Sequence, residues 1–280
     1  MDISYSIIIP HHNCPDLLNR LLASIPARED LEIIVVDDNS DEGKKPVINR
    51  KDVLLIFIDK EYSKGAGRAR NVGLDNAHGK WLLFADADDF YADGFLKELD
   101  KFKDSTYDII FFNAFYNYMP KSGAFSNNDR DIFFQSFLTN TSDYQKRTLL
   151  KHFTNAPWCR MIRRSFVSNI HARFSETPVC NDAYFSHYTS SKTDNIYAID
   201  KRLYYWVNNP KSLSHRNRVY EIERQRIIEA GKTAKILRKE GVIELMSPFW
   251  CSFSSYRRNF GVGAAIKLVL LKLKYGYRRL

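Results

Sequence analysis

Cysteine is scarce and scattered: Cys14, Cys159, Cys180 and Cys251 lie far apart in 280 residues and never as a Cys-x-x-Cys pair. That leaves no zinc-finger spacing and no disulfide framework, and it fits a reducing compartment. Long hydrophobic runs are missing too. No stretch reaches the roughly 18 apolar residues of a membrane-spanning helix, so none is expected. Met1-Asp2-Ile3-Ser4 lacks a basic start, and Pro10, His11 and His12 interrupt the first apolar run, so no secretory signal is expected. Glycine is absent where a dinucleotide would need it. The turn after the first apolar run reads Pro10-His11-His12-Asn13, not Gly-x-Gly-x-x-Gly, which excludes a dehydrogenase-type turn. Lys64-Gly65-Ala66-Gly67-Arg68 lacks the Gly-Lys-Ser/Thr ending of a phosphate loop and reads as a helix entry.

What is present is a composition of 44% hydrophobic and 14% aromatic residues, enough for a full α/β core. The net charge of +9 is uneven: residues 216–280 hold 15 Lys+Arg against 5 Asp+Glu, and the other 215 residues are one negative charge from balance. The basic excess therefore belongs to a C-terminal extension. No nucleic-acid-binding motif accompanies it, so no nucleic-acid partner is expected. No internal repeat or low-complexity linker is visible.

In chain order, Tyr5–Ile9 reads as a buried strand closed by Pro10, and Leu17, Leu18, Leu21, Leu22 and Ile25 recur at helical spacing. Leu31–Val36 and Val53–Ile58 read as further strands, and a helix after Gly65-Ala66-Gly67 runs towards Gly79. Trp81–Ala85 is the fourth strand. Alternation of strand and helix with short links predicts a parallel sheet with right-handed crossovers. Further on, Phe95–Phe102 reads as a helix, Ile109–Phe115 as a strand, 123–131 as a loop, Ile196–Ile199 and Leu203–Val207 as a strand pair, and Arg218–Glu240 as a long helix. Arg160, Arg163 and Arg164 could attract phosphate groups but read rather as a solvated helix face.

The fourth strand ends in Asp86-Ala87-Asp88-Asp89. Clustered carboxylates at the end of a buried strand repel one another and resist desolvation unless a cation sits there. In open α/β sheets the ligand site lies outside the carboxyl ends of the strands. Asp86 and Asp88 are therefore candidate ligands of a Mg²⁺ or Mn²⁺ shared with a substrate phosphate, against the plainer reading of an acidic capping turn. Asp38, in Asp37-Asp38-Asn39-Ser40, either stabilises its turn or accepts the imide N–H of a uracil base. Trp158 is either an acceptor-stacking platform or core. His187 and His215 are read as core or surface histidines, not metal ligands.

Taken together, Ser6-Ile7-Ile8-Ile9-Pro10, Val35-Val36-Asp37-Asp38-Asn39-Ser40, Gly67-Arg68-Ala69-Arg70-Asn71-Val72-Gly73-Leu74 and the Asp86/Asp88/Asp89 cluster resemble the family 2 glycosyltransferases of GT-A fold. The likeness continues in Ala156-Pro157-Trp158, Arg173-Phe174, Asn181-Asp182, Leu203-Tyr204-Tyr205-Trp206 and Lys211-Ser212-Leu213-Ser214. It implies a Rossmann-like, mostly parallel sheet flanked by helices. It further implies a catalytic domain over 1–215, with a nucleotide-sugar half (1–105) and an acceptor half (106–215), and a basic helical extension over 216–280. By resemblance Pro10, His12 and Asp38 line the base and ribose pocket, and Arg70 sits near the nucleotide. Asp86 and Asp88 hold the sugar nucleotide and its Mn²⁺ or Mg²⁺, Asp182 is the general base, and Trp158 and Asn181 face the acceptor. Two positions depart from the family's usual pattern: Asn181 stands where a Glu is customary, and His12 where a Tyr stacks on the base.

The implied activity is inverting transfer of a sugar from a UDP-sugar to a glycan or lipid-linked oligosaccharide, in bacterial surface polysaccharide synthesis. A catalytically weak sugar-nucleotide-binding or scaffold protein of the same fold is the alternative. The apolar segment Ala264–Leu273, with Arg257, Arg258, Lys267, Lys272, Lys274, Arg278 and Arg279 around it, suits the headgroup region of an anionic bilayer or else packs on the core. The expected location is the cytoplasm, peripherally at the inner face of the membrane.

Overall fold

The computed structural model describes residues 2–119, 122, 124–126, 129–153, 155–209, 219–242, 245 and 253–275. Lys211–Ser214, His215, Cys251, Arg278 and Arg279, singled out above, lie outside the described residues. Four strands form the first half of the sheet: β1 (Tyr5–His11), β2 (Leu31–Asp37), β3 (Val53–Phe57) and β4 (Trp81–Phe84). They pair in parallel in the order β3-β2-β1-β4. Every residue of β1 and β4 is buried, the uninterrupted apolar run that a sheet covered on both faces demands. At the edge, β3 leaves Leu54 and Phe57 exposed.

Helix α1 (Pro15–Ala23) links β1 to β2, and α2 (Ala66–Asp75) links β3 to β4. Because β1 pairs with β2 on one side and β4 on the other, the strand order reverses between β1 and β4. A crevice at such a reversal is where open α/β sheets bind ligands. Contrary to the sequence reading, β1 does not stop before Pro10 but runs on to His11, with Pro10 opposite Val36. The Ile8 carbonyl bonds Ala85 on the β4 side and the His11 carbonyl bonds Asp38 beyond β2. Alternation therefore turns the donor-less Pro10 nitrogen towards the side where β4 has already ended, so no ladder bond is lost. Helix α2 also ends earlier than expected, at Asp75, and Gly79 instead lies tight against the backbone at Ser6.

The second half of the sheet is mixed. β8 (Arg160–Arg163) runs antiparallel between β4 and β6 (Ile109–Met119), and β6 pairs in parallel with β9 (Ile196–Val207). The expected strand pair is thus one strand. Its register against β6 slips between Ile199 and Arg202, and the exposed Asp200-Lys201 bulge made it look interrupted. The two-residue β5 (Phe90–Tyr91) closes the path against β9. β7 (Ala124–Ser126) and α4 (Asp129–Thr139) occupy the stretch that the sequence reads as a loop. Arg160 overturns the solvated-face reading. It lies fully buried in β8, bonded to the Ser186 carbonyl and Ser190 hydroxyl, while Arg163 stacks over Trp81 and Arg164 bonds the Gly79 carbonyl. Helices α3 (Phe95–Asp100), α5 (Tyr144–His152), α6 (Arg164–Asn169) and α7 (Ala183–Ser190) cover the sheet, and α8 (Tyr220–Lys239), α9 (Phe253–Phe260) and α10 (Val262–Lys274) follow.

Candidate functional site

The carboxyl ends of β1 and β2 are tied together before any ligand arrives. The buried Asp37 carboxylate lies 2.6 Å from His11 Nδ1 and accepts from Ser40 through both its hydroxyl and its amide. His11 Nε2 accepts from the Cys14 amide, which leaves the ring proton on Nδ1 and aims it at Asp37. Asn13 and Asn39 adopt left-handed backbone at the two loop tips, and Asn13 bonds across to Asp41. Asp37 is thus structural, and it frees its neighbour.

Asp38 Oδ2 accepts from the Gly65 amide at 2.8 Å, a bond presented by a glycine at φ +85°. Among the described residues, the buried Asp38 Oδ1 has no hydrogen-bond partner. A buried carboxylate oxygen without a donor costs free energy, so this one is poised to accept from something that binds. The exposed His12 donates from Nδ1 to the Asp38 carbonyl at 3.0 Å, which places its ring at the rim of the same crevice beside Pro10.

At the end of β4 the acidic residues separate into roles. Asp89 is buried and structural: it accepts from the Tyr204 hydroxyl at 2.9 Å and the Val207 amide at 2.8 Å. The same Tyr204 hydroxyl accepts from the Asp86 amide at 2.9 Å, so one phenol locks the acidic turn to β9. Asp86 and Asp88 remain half-buried. Asp88 accepts from the Asn209 amide at 2.8 Å, and its carbonyl accepts from Arg20. Burial, and then the charge of Asp86, push the Asp88 carboxyl above its ordinary range.

Arg70, on the buried face of α2, joins two parts of the site. It donates to Asp86 Oδ1 at 2.5 Å and to Asn181 Oδ1 at 2.8 Å, with its guanidinium over the Phe174 ring. Asn181 spends its amide on the Thr177 carbonyl, and Asp182 follows it as the first residue of the α7 entry. The Asp182 carboxylate makes no capping bond to that helix. Burial raises its pKa, Arg70 opposes the rise, and Asp86 adds to it. Gly67 permits the close approach. A Cβ there would lie 2.0 Å from the Ser175 carbonyl oxygen and 2.8 Å from Asn181 Cβ. The 174–182 segment is also held from outside, where Ser175 donates at 2.6 Å to the fully buried Glu229 of α8.

The structure thus brings Pro10, His12, Asp38, Arg70, Asp86, Asp88, Asn181 and Asp182 around the carboxyl ends of β1, β2 and β4. Trp158 is the exception. It is 3% exposed and stacked on Tyr204 and Trp206, so it belongs to the core beneath the site and offers no open platform. His187 is buried at 2.9 Å from His152, Nδ1 to Nδ1, as the core reading has it. Sequence reasoning missed Arg20, Tyr204 as a lock, and Asn209. Tyr204 had a signal in its place within an aromatic run, whereas Asn209 and Arg20 meet Asp88 only through the fold.

A parallel half-sheet with acidic turns at its carboxyl ends, continued by a mixed half and flanked by helices, is the GT-A architecture. More narrowly, residues 6–170 match Glycosyl transferase family 2, and the chain belongs to that family. A GalNAc(5)-diNAcBac-PP-undecaprenol beta-1,3-glucosyltransferase of Campylobacter jejuni is 30% identical over 184 residues, 64% of this chain and 57% of that one. The Escherichia coli UDP-Glc:alpha-D-GlcNAc-diphosphoundecaprenol beta-1,3-glucosyltransferase WfaP is 33% identical over 129 residues, 44% of this chain and 51% of that one. The chain therefore spans little more than half the length of these relatives. Among solved structures, Staphylococcus aureus TarS 1–349 in complex with UDP-GlcNAc superposes with a TM-score of 0.62 at 17% identity, covering 98% of this chain and 92% of that one. A Pyrobaculum calidifontis mannosyltransferase in complex with GDP-Man and Mn²⁺ gives a TM-score of 0.56 at 13% identity, covering 100% of this chain and 77% of that one.

Proposed function

We propose that this chain is an inverting glycosyltransferase that moves a sugar from a UDP-sugar to a hydroxyl of a glycan or lipid-linked oligosaccharide in bacterial surface polysaccharide assembly. The observation that carries the reading is the Arg70 bridge, which sets the Asp86 carboxylate and the Asn181-Asp182 pair on two sides of one guanidinium. The unpartnered Asp38 Oδ1 adds base recognition: it accepts the uracil N3–H, while His12 and Pro10 flank base and ribose. Asp86 and Asp88 would hold Mn²⁺ or Mg²⁺. An oxygen-only donor pair fits such hard ions, and a cation between the two carboxylates would offset both the burial of Asp88 and its repulsion by Asp86. When bound, the ion supplies charge neutralisation for the departing diphosphate.

Asp182 takes the proton from the acceptor hydroxyl. The acceptor oxygen bonds to the anomeric carbon from the face opposite the departing diphosphate. The carbon–oxygen bond to UDP breaks, and the configuration inverts. An ordinary carboxyl pKa of about 4 makes a weak base at neutral pH, and the burial that raises Asp182 improves it. Arg70 holds Asn181 in register beside that base, which gives the amide a positioning role where the family usually has a Glu. Lipid-diphosphate-linked glycans in the names of the two relatives support the acceptor class. The test is a panel of UDP-sugars incubated with the full chain and Mn²⁺ or Mg²⁺, read as UDP release with and without glycan acceptors. Turnover on at least one donor is expected. Binding without turnover across the panel would favour the sugar-nucleotide-binding alternative.

A further inference from the structure

Helix α10 uses one side to pack and leaves another apolar side open. Ala265 and Leu268 are buried against Tyr256 of α9 and Ile227 of α8, and the Lys272 ammonium sits 5.5 Å from the centre of the Tyr256 ring. Val262, Ile266, Leu270 and Leu273 point elsewhere, with 56%, 48%, 59% and 38% of their surface exposed. Their spacing of four, four and three residues puts them in one row along the helix. The exposed Lys267 and Lys274 fall along one border of that row at helical spacing, and the exposed Arg257 and Arg258 stand near the end of α9. From Phe253 to Tyr275 there are five basic residues and no acidic one.

A contiguous apolar row of this kind on a soluble surface marks an interaction site. Charge decides between the two occupants it fits. A second copy meeting it row to row would set the exposed Arg257, Arg258, Lys267 and Lys274 against the same four with no carboxylate on either helix pair, whereas an anionic bilayer supplies the missing sign. We propose that α10 lies in the interface of an anionic membrane, with Val262, Ile266, Leu270 and Leu273 in the acyl boundary and Arg257, Arg258, Lys267 and Lys274 among the headgroup phosphates. Among the described residues no helix is long and apolar enough to cross a membrane, so the contact is one of lying on the surface. The contact also has a route to the site: α10 packs on α8, and the α8 residue Glu229 holds Ser175 in the segment that ends at Asp182.

The experiment is co-sedimentation of the full chain with phosphatidylglycerol–phosphatidylcholine vesicles and with phosphatidylcholine vesicles alone. No donor or acceptor is present, so the readout is independent of the proposed transfer activity. The wild-type chain is expected to pellet with the anionic vesicles and release as salt rises. Ile266→Glu/Leu270→Glu and Lys267→Glu/Lys274→Glu each lower partitioning about tenfold or more with unchanged circular dichroism, because all four side chains face solvent. Wild-type chain that stays in the supernatant, or pellets equally with neutral vesicles, would overturn the proposal. So would an apolar double variant that pellets undiminished, or a lipid-free dimer that the same variant dissolves.

Discussion

Replacing Asp38 by Asn changes one atom in a position whose two oxygens have separate duties. Oδ2 accepts from Gly65, and Oδ1 has no partner among the described residues. In the Asp38→Asn variant the side-chain carbonyl oxygen must stay on the Gly65 amide, because turning the NH₂ there would oppose two donors. The NH₂ then occupies the Oδ1 position, facing the uracil N3–H donor to donor. A hydrogen bond to a charged group contributes about 1.5–3 kcal/mol, and an unsatisfied buried donor costs a similar amount. UDP affinity should therefore fall at least about a hundredfold. Cytosine N3 is an acceptor, so CDP gains from the same change. Both nucleotides carry the same diphosphate, so the loss of one carboxylate charge cancels in their ratio. Titration calorimetry of UDP and CDP against wild-type and Asp38→Asn chains reads that ratio directly. An unchanged UDP-to-CDP preference, in a variant that melts like the wild type, would refute the base-recognition role.

Three further outcomes follow from the packing around the site. Gly67→Ala drives a methyl into the Ser175 carbonyl, so it should destabilise by about 1–3 kcal/mol in urea melts and depress transfer further by displacing Asn181 from Arg70. Glu229→Ala leaves Ser175 and Gln225 without their buried acceptor, while the exposed Lys232 turns to solvent, and should cost about 2–4 kcal/mol; a loss below about 1 kcal/mol would mean α8 does not brace the 174–182 segment. Burial holds the paired His152 and His187 neutral, with pKa values pushed down to about 2 and about 3, while the unfolded chain binds those protons near the ordinary 6.5. Unfolding free energy should thus drop as pH falls from about 6.5 to about 5.5, by about 1 kcal/mol per histidine. His187→Asn should remove part of that slope, and identical curves for the two proteins would contradict it.

Much of this arrangement was legible in the residues because it is local. Unbroken apolar runs identify β1, β2 and β4, and the polar turns that end them, His11-His12-Asn13 after the first and acidic turns after the other two, mark the edge where their ends meet. That pattern places Asp38, Asp86 and Asp88 at this edge, while it leaves open whether they serve a turn or a ligand. What escaped depends on distant pairings. Whether Pro10 ends a strand depends on where β4 stops. The split of β9 into apparent halves reflects a bulge that only β6 defines. Trp158 was ambiguous and Arg160 was misread as solvated for a related reason: an indole or a guanidinium can serve a surface or a core, and only the Tyr204–Trp206 stack and the Ser186–Ser190 bonds decide. Asn181 was legible as a departure. Its engagement with Arg70, which also holds Asp86, was not.

The central claim is that Asp182 removes the acceptor proton while Asp38, Arg70, Asp86 and Asp88 serve the donor. Asp182→Asn keeps the size of the side chain at a position that makes no capping bond. The decisive measurement is transfer rate and UDP affinity on that one variant, with the wild-type rate followed across pH. The account predicts transfer lowered by about 10²-fold or more with UDP affinity unchanged. It also predicts a wild-type rate that declines as pH drops through a carboxyl pKa above the ordinary range. Full transfer by Asp182→Asn, or a parallel collapse of UDP binding, would contradict it.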